Sequence, residues 1–250
     1  MSVSRRRLIA GLGGGMLLGG CDRIVGTPSV AALMRSAEPF TMAVQRLVSA
    51  RDALAPEFTP ADLSPLFRSN GNAIARSPAY LAHLQTGFRD WRLAVGGLVR
   101  RPRAFSHNEL RAMPRRTQIT RHDCVEGWSA IGQWTGVPLA AVLAACGGLD
   151  PAARFIVFHC DDDFAGRPYY ESIDLVDALH PQTILAYGLN GRPLPVANGA
   201  PLRLRVERQL GYKHAKFLSR IEAVASLKPI GAGRGGFWED VADYEWYAGI

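Results

Sequence analysis

Chemistry in this chain gathers around one cysteine. Cys124 stands in His122-Asp123-Cys124-Val125-Glu126-Gly127-Trp128, a polar run that reads as an exposed strand end. Side chains alternate between faces on an extended chain, so His122 and Cys124 share one. Three readings follow. With His122 or His159 lowering the thiol pKa, Cys124 would be the nucleophile of a hydrolase. As a thiolate it would be a ligand for a soft metal. As a buried structural residue it would do no chemistry, although a core cysteine flanked by His, Asp and Glu would be oddly placed.

Spacing excludes several other sites. The sequence holds no C-x-x-C pair for a zinc ribbon or a thioredoxin-type centre, and no C-x-x-C-H for a c-type haem. It holds no H-E-x-x-H and no G-x-S-x-G. Asp161-Asp162-Asp163 could bind a cation or simply be solvated in a turn. The glycine-rich run Gly231–Gly236 is expected to be a loop after the last helix, a weak dinucleotide candidate.

Elements must position these groups. Thr117 to Arg121 is predicted as a strand delivering Cys124, and Trp91 to Val95 as another, alternating with period two. Ser106-His107-Asn108-Glu109 has capping-box spacing and opens a short helix ended by Pro114. Pro138 suits a first helical residue, with Leu139, Val142 and Leu143 on one face until Gly147-Gly148. Phe155 to Phe158 is a buried strand and Ile173 to Leu179 a short helix. Asn190-Gly191 marks a tight turn. Leu202-Arg203-Leu204-Arg205-Val206 alternates strictly, which predicts a strand with one wet or ligand-facing side. Thr41 can cap a helix carrying Val44, Leu47 and Val48. Strands and short helices mix without regular β-α alternation, so the fold class is α+β, a single domain of mixed sheets with short helices.

Composition and charge bound the function. Of 250 residues 48% are apolar and 20% charged, which is globular. No apolar run reaches the ~18 residues that span a bilayer. The excess of 29 basic over 22 acidic residues gives +7. Three of those arginines, Arg5, Arg6 and Arg7, head a short apolar glycine-rich stretch, the pattern of an export signal. Ser4-Arg5-Arg6 with Leu8 resembles a twin-arginine signal, and Leu18-Gly19-Gly20-Cys21 resembles a lipobox whose Cys21 is lipidated. Expected divisions are a signal at 1–20, a tether and helix at 21–60 and the functional domain at 61–250. No basic run with interleaved aromatics supports nucleic-acid binding.

Several separated motifs carry a family resemblance. His122 to Ser129 followed by Trp134-Thr135-Gly136-Val137-Pro138-Leu139, then Asn198 to Leu204, then Gly211-Tyr212-Lys213-His214-Ala215-Lys216, resemble in order the sulfite oxidase family of molybdenum enzymes. The nearest branch in appearance is the bacterial periplasmic catalytic subunits similar to protein-methionine-sulfoxide reductase. The resemblance implies the family's molybdopterin-binding fold and a molybdenum–molybdopterin cofactor in the mononucleotide-free pyranopterin form, with Cys124 as the metal's thiolate. It implies cofactor contacts at Asn70, Asn198, Arg203, His214, Ala215 and Lys216, the arginine as a bidentate phosphate ligand and the lysine as a point charge. Cys160 falls where that branch has a cofactor-contacting Thr, or is a buried strand residue, or bridges to Cys146. Glu126 would relay protons or anchor its loop.

The implied reaction is oxo-transfer. It either reduces a small-molecule or protein-bound sulfoxide-like group or oxidises a substrate such as sulfite. No haem motif is present, so electrons would come from a membrane b-type cytochrome. The expected protein is a monomer in the periplasm, anchored to the inner membrane through Cys21. A cofactor-free binding lipoprotein is the reading outside enzymes.

Overall fold

The computed structural model describes residues 28–250, so the export signal and Cys21 lie outside the described residues. The chain divides after Val48 into two units. In the first, the described chain is one helix, α1 (Pro28–Val48). Thr41 is not its cap: it lies inside α1, where its hydroxyl donates to the Ala37 carbonyl at 3.1 Å. Among the described residues no helix is long and apolar enough to cross a membrane.

The second unit runs from Ser49 to Ile250. Residues 49–60, grouped with the tether on sequence grounds, bond into it. Ala55 exchanges two hydrogen bonds with the Gln182 amide, and the Phe58 N–H donates to the Ile119 carbonyl.

Two sheets form the frame. One has the order β2-β1-β10-β5-β6, built from β1 (Arg92–Gly97), β2 (Arg103–Ser106), β5 (Phe155–Phe164), β6 (Arg167–Asp174) and β10 (Leu218–Val224). The other has β3 (Arg116–Cys124), β4 (Trp128–Pro138), β7 (Ile184–Leu189) and β8 (Arg192–Pro193) in that order, with β9 (Arg203–Arg205) on β7. All pairings are antiparallel except β1 with β10. Leu93, Phe105, Ile156, Ile221, Val137, Leu185 and Leu204 join one buried cluster, so both sheets share a core.

Short helices fill the connections: α2 (Pro78–Gln85), α3 (His107–Ala112), α4 (Leu139–Ala145), α5 (Leu175–Ala178) and α6 (Phe237–Ala242). Both bonds of the Ser106/Glu109 capping box form at α3. Asn190 and Gly191, at φ 50° and 74°, close the β7–β8 hairpin, the pair of positive φ values that a type I′ turn requires.

Several local expectations change: Pro138 ends β4 rather than opening α4, and Ile173 lies in β6, with α5 starting at Leu175. Strand β9 has no wet side: Arg203, Leu204 and Arg205 are all buried, because the strand pairs with β7 inside the shared core. Asp161 to Asp163 belong to strand β5 rather than a turn. Helix α6 follows the glycine run that was expected to come after the last helix. Cys146 and Cys160 are free thiols; Cys146 is packed in the core.

Candidate active site

Cys124 is the last residue of β3. Its pairing with Trp128 closes a tight turn in which the Gly127 N–H donates to the Cys124 carbonyl at 3.0 Å. Gly127 sits at φ 86°, a conformation that favours glycine. The turn sets the thiol against a cavity of about 130 Å³. Asn70, Glu126, His214 and Lys216 also line it, so residues far apart in sequence converge on one space. Glu126 is exposed and accepts from Trp128 Nε1 at 3.0 Å. Cys160, Asn198, Arg203 and Ala215 do not line the cavity; the last three are buried elsewhere in this region of the core.

Neither histidine expected to serve the thiol as a base is placed to do so. Burial, the largest cause, pushes the Cys124 thiol pKa up. His122 is buried, and its imidazole is held neutral by burial and by the nearby Arg205, Arg203 and Lys216 charges. Its Nδ1 lies 2.9 Å from Arg205 Nη1 and must be the acceptor, since a guanidinium only donates. That tautomer places the proton on Nε2, leaving no lone pair to deprotonate a thiol. His159 is bonded to Glu222 in the other sheet. The Cys–His hydrolase reading therefore loses both candidate bases. Among the described residues no three His, Cys, Asp or Glu side chains gather to hold a metal, which removes the all-protein cation site suggested by Asp161–Asp163.

Arg203 and Lys216 are bonded differently from the sequence expectation. Arg203 donates through Nη1 to the Asn198 carbonyl at 3.0 Å and through Nη2 to the His214 carbonyl at 3.2 Å. Its fork thus fixes two backbone segments, and a bidentate phosphate contact is not available in this arrangement. Lys216 Nζ donates to Ser69 Oγ at 3.2 Å, to the Ala197 carbonyl at 2.9 Å and to the Asn72 carbonyl. It staples the Asn70 loop to the Asn198 turn.

Several buried polar atoms have no partner: acceptors Asn70 Oδ1 and His214 Nδ1 on residues that line the cavity, and donors Asn198 Nδ2, Arg203 Nε and His122 Nε2 in the core behind His214. Native interiors rarely leave such atoms unpaired. A pterin, which presents donors and acceptors on one edge, is the kind of group that satisfies a mixed set. Charge points the same way. Arg203 and Arg205 are fully buried and Glu207 is their close carboxylate, bonded to Arg205. Burial and then Arg205 bring Arg203 down to about 9, and burial and then Arg203 bring Lys216 down to about 7. Excess buried positive charge is stabilised by an anion such as a phosphate. Together with a thiol at the cavity, this donor set fits a phosphorylated pterin that carries a soft metal.

Sequence reasoning missed much of the wall. Phe164, Tyr169, Tyr212, Trp238 and Tyr244 line the cavity, and Asp162 lies among them, its Oδ2 accepting from Asn72 Nδ2 at 3.1 Å. Nothing local distinguishes these side chains from packing residues. Arg205 was legible only as alternation in its strand; its place over Trp134, 4.4 Å from the ring centroid, comes from the fold.

Comparison with known proteins agrees. Residues 81–229 match the oxidoreductase molybdopterin binding domain. A putative protein-methionine-sulfoxide reductase subunit YedZ1 of Azospira oryzae is 37% identical over 241 residues, covering 95% of this chain and 84% of that protein. The protein-methionine-sulfoxide reductase catalytic subunit MsrP of Xanthomonas axonopodis pv. citri is 37% identical over 148 residues, 55% of this chain and 46% of that protein. The sulfane dehydrogenase SoxCD of Paracoccus pantotrophus superposes with a TM-score of 0.50 at 24% identity, over 55% of this chain and 39% of that one, a likeness of fold alone. The chain belongs to the sulfite oxidase family of molybdopterin-binding oxidoreductases.

Proposed function

We propose that this molybdopterin oxidoreductase is a catalytic subunit that reduces sulfoxide-like groups, methionine sulfoxide first among them. One observation carries the direction. The cavity beside Cys124 is walled by Phe164, Tyr169, Tyr212, Trp238 and Tyr244, and its one lining cation among the described residues, Lys216, already bonds three protein oxygens. Such a wall suits the apolar thioether end of a sulfoxide, since sulfur packs favourably on aromatic rings. Sulfite, a small oxyanion, would need free cationic donors. The names of the two curated relatives support the same direction.

Cys124 would bind the metal, and Asn70, Asn198, His122 and His214 would meet the pterin through their unpaired atoms. Bound there, the cofactor supplies two-electron chemistry and oxygen-atom exchange. The chain's own residues do the rest. Arg203 fixes the Asn198 and His214 segments, the aromatic wall limits water, and exposed Glu126 passes protons between solvent and the cavity. Reduction of a sulfoxide consumes two protons and two electrons and releases water. The electrons would come from a membrane-bound b-type cytochrome, in keeping with relatives named as subunits. A periplasmic protein held at the inner membrane by lipidated Cys21 fits that partner and the twin-arginine-like signal.

The test is metal analysis followed by turnover. Protein from a cofactor-competent host is expected to hold about one molybdenum per chain, and Cys124→Ser none. Loaded enzyme is expected to reduce methionine sulfoxide with reduced viologen and to leave sulfite with ferricyanide untouched. Wild-type protein without molybdenum, or activity on sulfite alone, would overturn the proposal.

A further inference from the structure

Behind the aromatic wall lies a buried group that the proposed chemistry does not use. Lys213 Nζ sits 2.6 Å from Glu171 Oε2 and 2.5 Å from Glu239 Oε1, and all three side chains are at most 1% exposed. One ammonium and two carboxylates leave a net negative charge in the interior, which costs several kcal/mol unless it is neutralised. The other two carboxyl oxygens, Glu171 Oε1 and Glu239 Oε2, are buried without a partner. They converge on Gly236, where a Cβ would lie 2.6 Å from the first and 2.1 Å from the second. Two carboxyls brought together in this way share a proton.

Each member of the triad adjoins a cavity-lining side chain. Glu171 follows Tyr169 by two residues on β6 and so shares its face. Lys213 follows Tyr212, and Glu239 follows Trp238 on α6. Tyr169 also donates to the Tyr212 carbonyl at 2.8 Å. We propose that Glu171 and Glu239 share one proton beside Lys213, and that this protonated triad positions Tyr169, Tyr212 and Trp238 as the substrate wall. Losing the proton sets two carboxylates against each other, loosens α6 and weakens substrate binding. The substrate arm of this inference rests on the proposed sulfoxide reduction.

The surroundings favour the neutral carboxyl. Burial and then Glu239 push the Glu171 carboxyl well above its ordinary range, while Lys213 opposes them. Lys213 is held charged by Glu171 and Glu239 against burial. Tyr169 and Tyr170 lie near both carboxyls and Cys160 near Glu171, and all three are held neutral, with burial the largest cause in each. Asp240 accepts from Tyr170 at 2.6 Å, and Asp162, brought up to about 6 by burial, lies beyond Tyr169. A carboxyl raised on folding adds stability in acid that is lost as pH rises toward its folded pKa.

The experiment compares wild type with Glu239→Gln and Glu171→Gln, whose amides supply a permanent donor in place of the shared proton. In loaded enzyme, wild-type KM for methionine sulfoxide is expected to rise about tenfold from acid to alkaline pH with little change in kcat, while either glutamine variant keeps a flat, low KM. In metal-free protein above about pH 7, where Asp162 is already charged, the wild-type melting temperature is expected to fall as pH rises, and that of the variants to stay level. A flat wild-type profile, or variants that keep its pH dependence, would overturn the triad. If one variant fails to fold, the other decides. If wild type turns over no sulfoxide, the proposed function fails, while the melting profiles still judge the triad.

Discussion

Replacing Glu207 by Gln tests the charge balance beneath the site. Glu207 accepts from Arg205 Nε at 2.9 Å and from Nη2 at 2.5 Å, and both side chains are at most 1% exposed. Gln118 donates to the same carboxylate at 2.8 Å. The amide keeps the shape and one acceptor but removes the negative charge, and it turns an N–H₂ toward a guanidinium. Arg205 then stays buried over Trp134, with buried Arg203 two residues away. Breaking a buried pair from one side costs about 3–5 kcal/mol. For a unit of this size each kcal/mol lowers the melting temperature by about 2–4 °C, so a drop of about 6–20 °C is expected. The assay is thermal unfolding of metal-free protein by circular dichroism at low and high salt. Because the pair is dry, the drop should persist at high salt. A change under about 2 °C would refute the reasoning, showing that Arg205 is not held by that carboxylate.

Two further substitutions probe the site and the packing behind it. Gly211→Ala puts a Cβ 2.5 Å from Nε2 and 2.6 Å from Cε1 of His122, a ring that Arg205 holds in place. A loss of about 1–3 kcal/mol and poorer molybdenum retention are expected, checked by melting and metal analysis; wild-type values in both would contradict the packing argument. Asp162 is pushed up to about 6 by burial, so its contribution to stability declines as pH rises from about 4 to about 6. Asp162→Asn should remove that decline, up to about 3 kcal/mol in all, from a plot of unfolding free energy against pH, and an unchanged slope would refute it.

Local chemistry made part of the site legible. The Cys124 run reads as a strand end from its polar residues, and the structure ends β3 there, though His122 and Cys124 are buried rather than exposed. The Ser106 cap and the Asn190-Gly191 turn are equally local, each fixed by dihedral preference and hydrogen bonds within four residues. Motif order brought Asn70, His214 and Lys216 to notice, and the fold gathers them on one cavity with Cys124.

Other roles depended on partners distant in the chain. Period-two alternation at Leu202–Val206 implies two unlike faces, but not that the arginine face is sealed by Trp134 and Glu207. His122 looked like a base for Cys124 because two residues separate neighbours on one face of a strand. Arg205, 83 residues later, claims its Nδ1 and settles its tautomer. Glu239 carries no motif, and only the packing of α6 joins it to Lys213 and Glu171. By itself, then, the sequence determined which atoms are available and how the backbone presents them over a few residues, since propensity and periodicity act at that range. The tertiary structure alone decided which of those atoms are paired, neutral or left open to a ligand, because burial and charge depend on what the rest of the chain brings alongside.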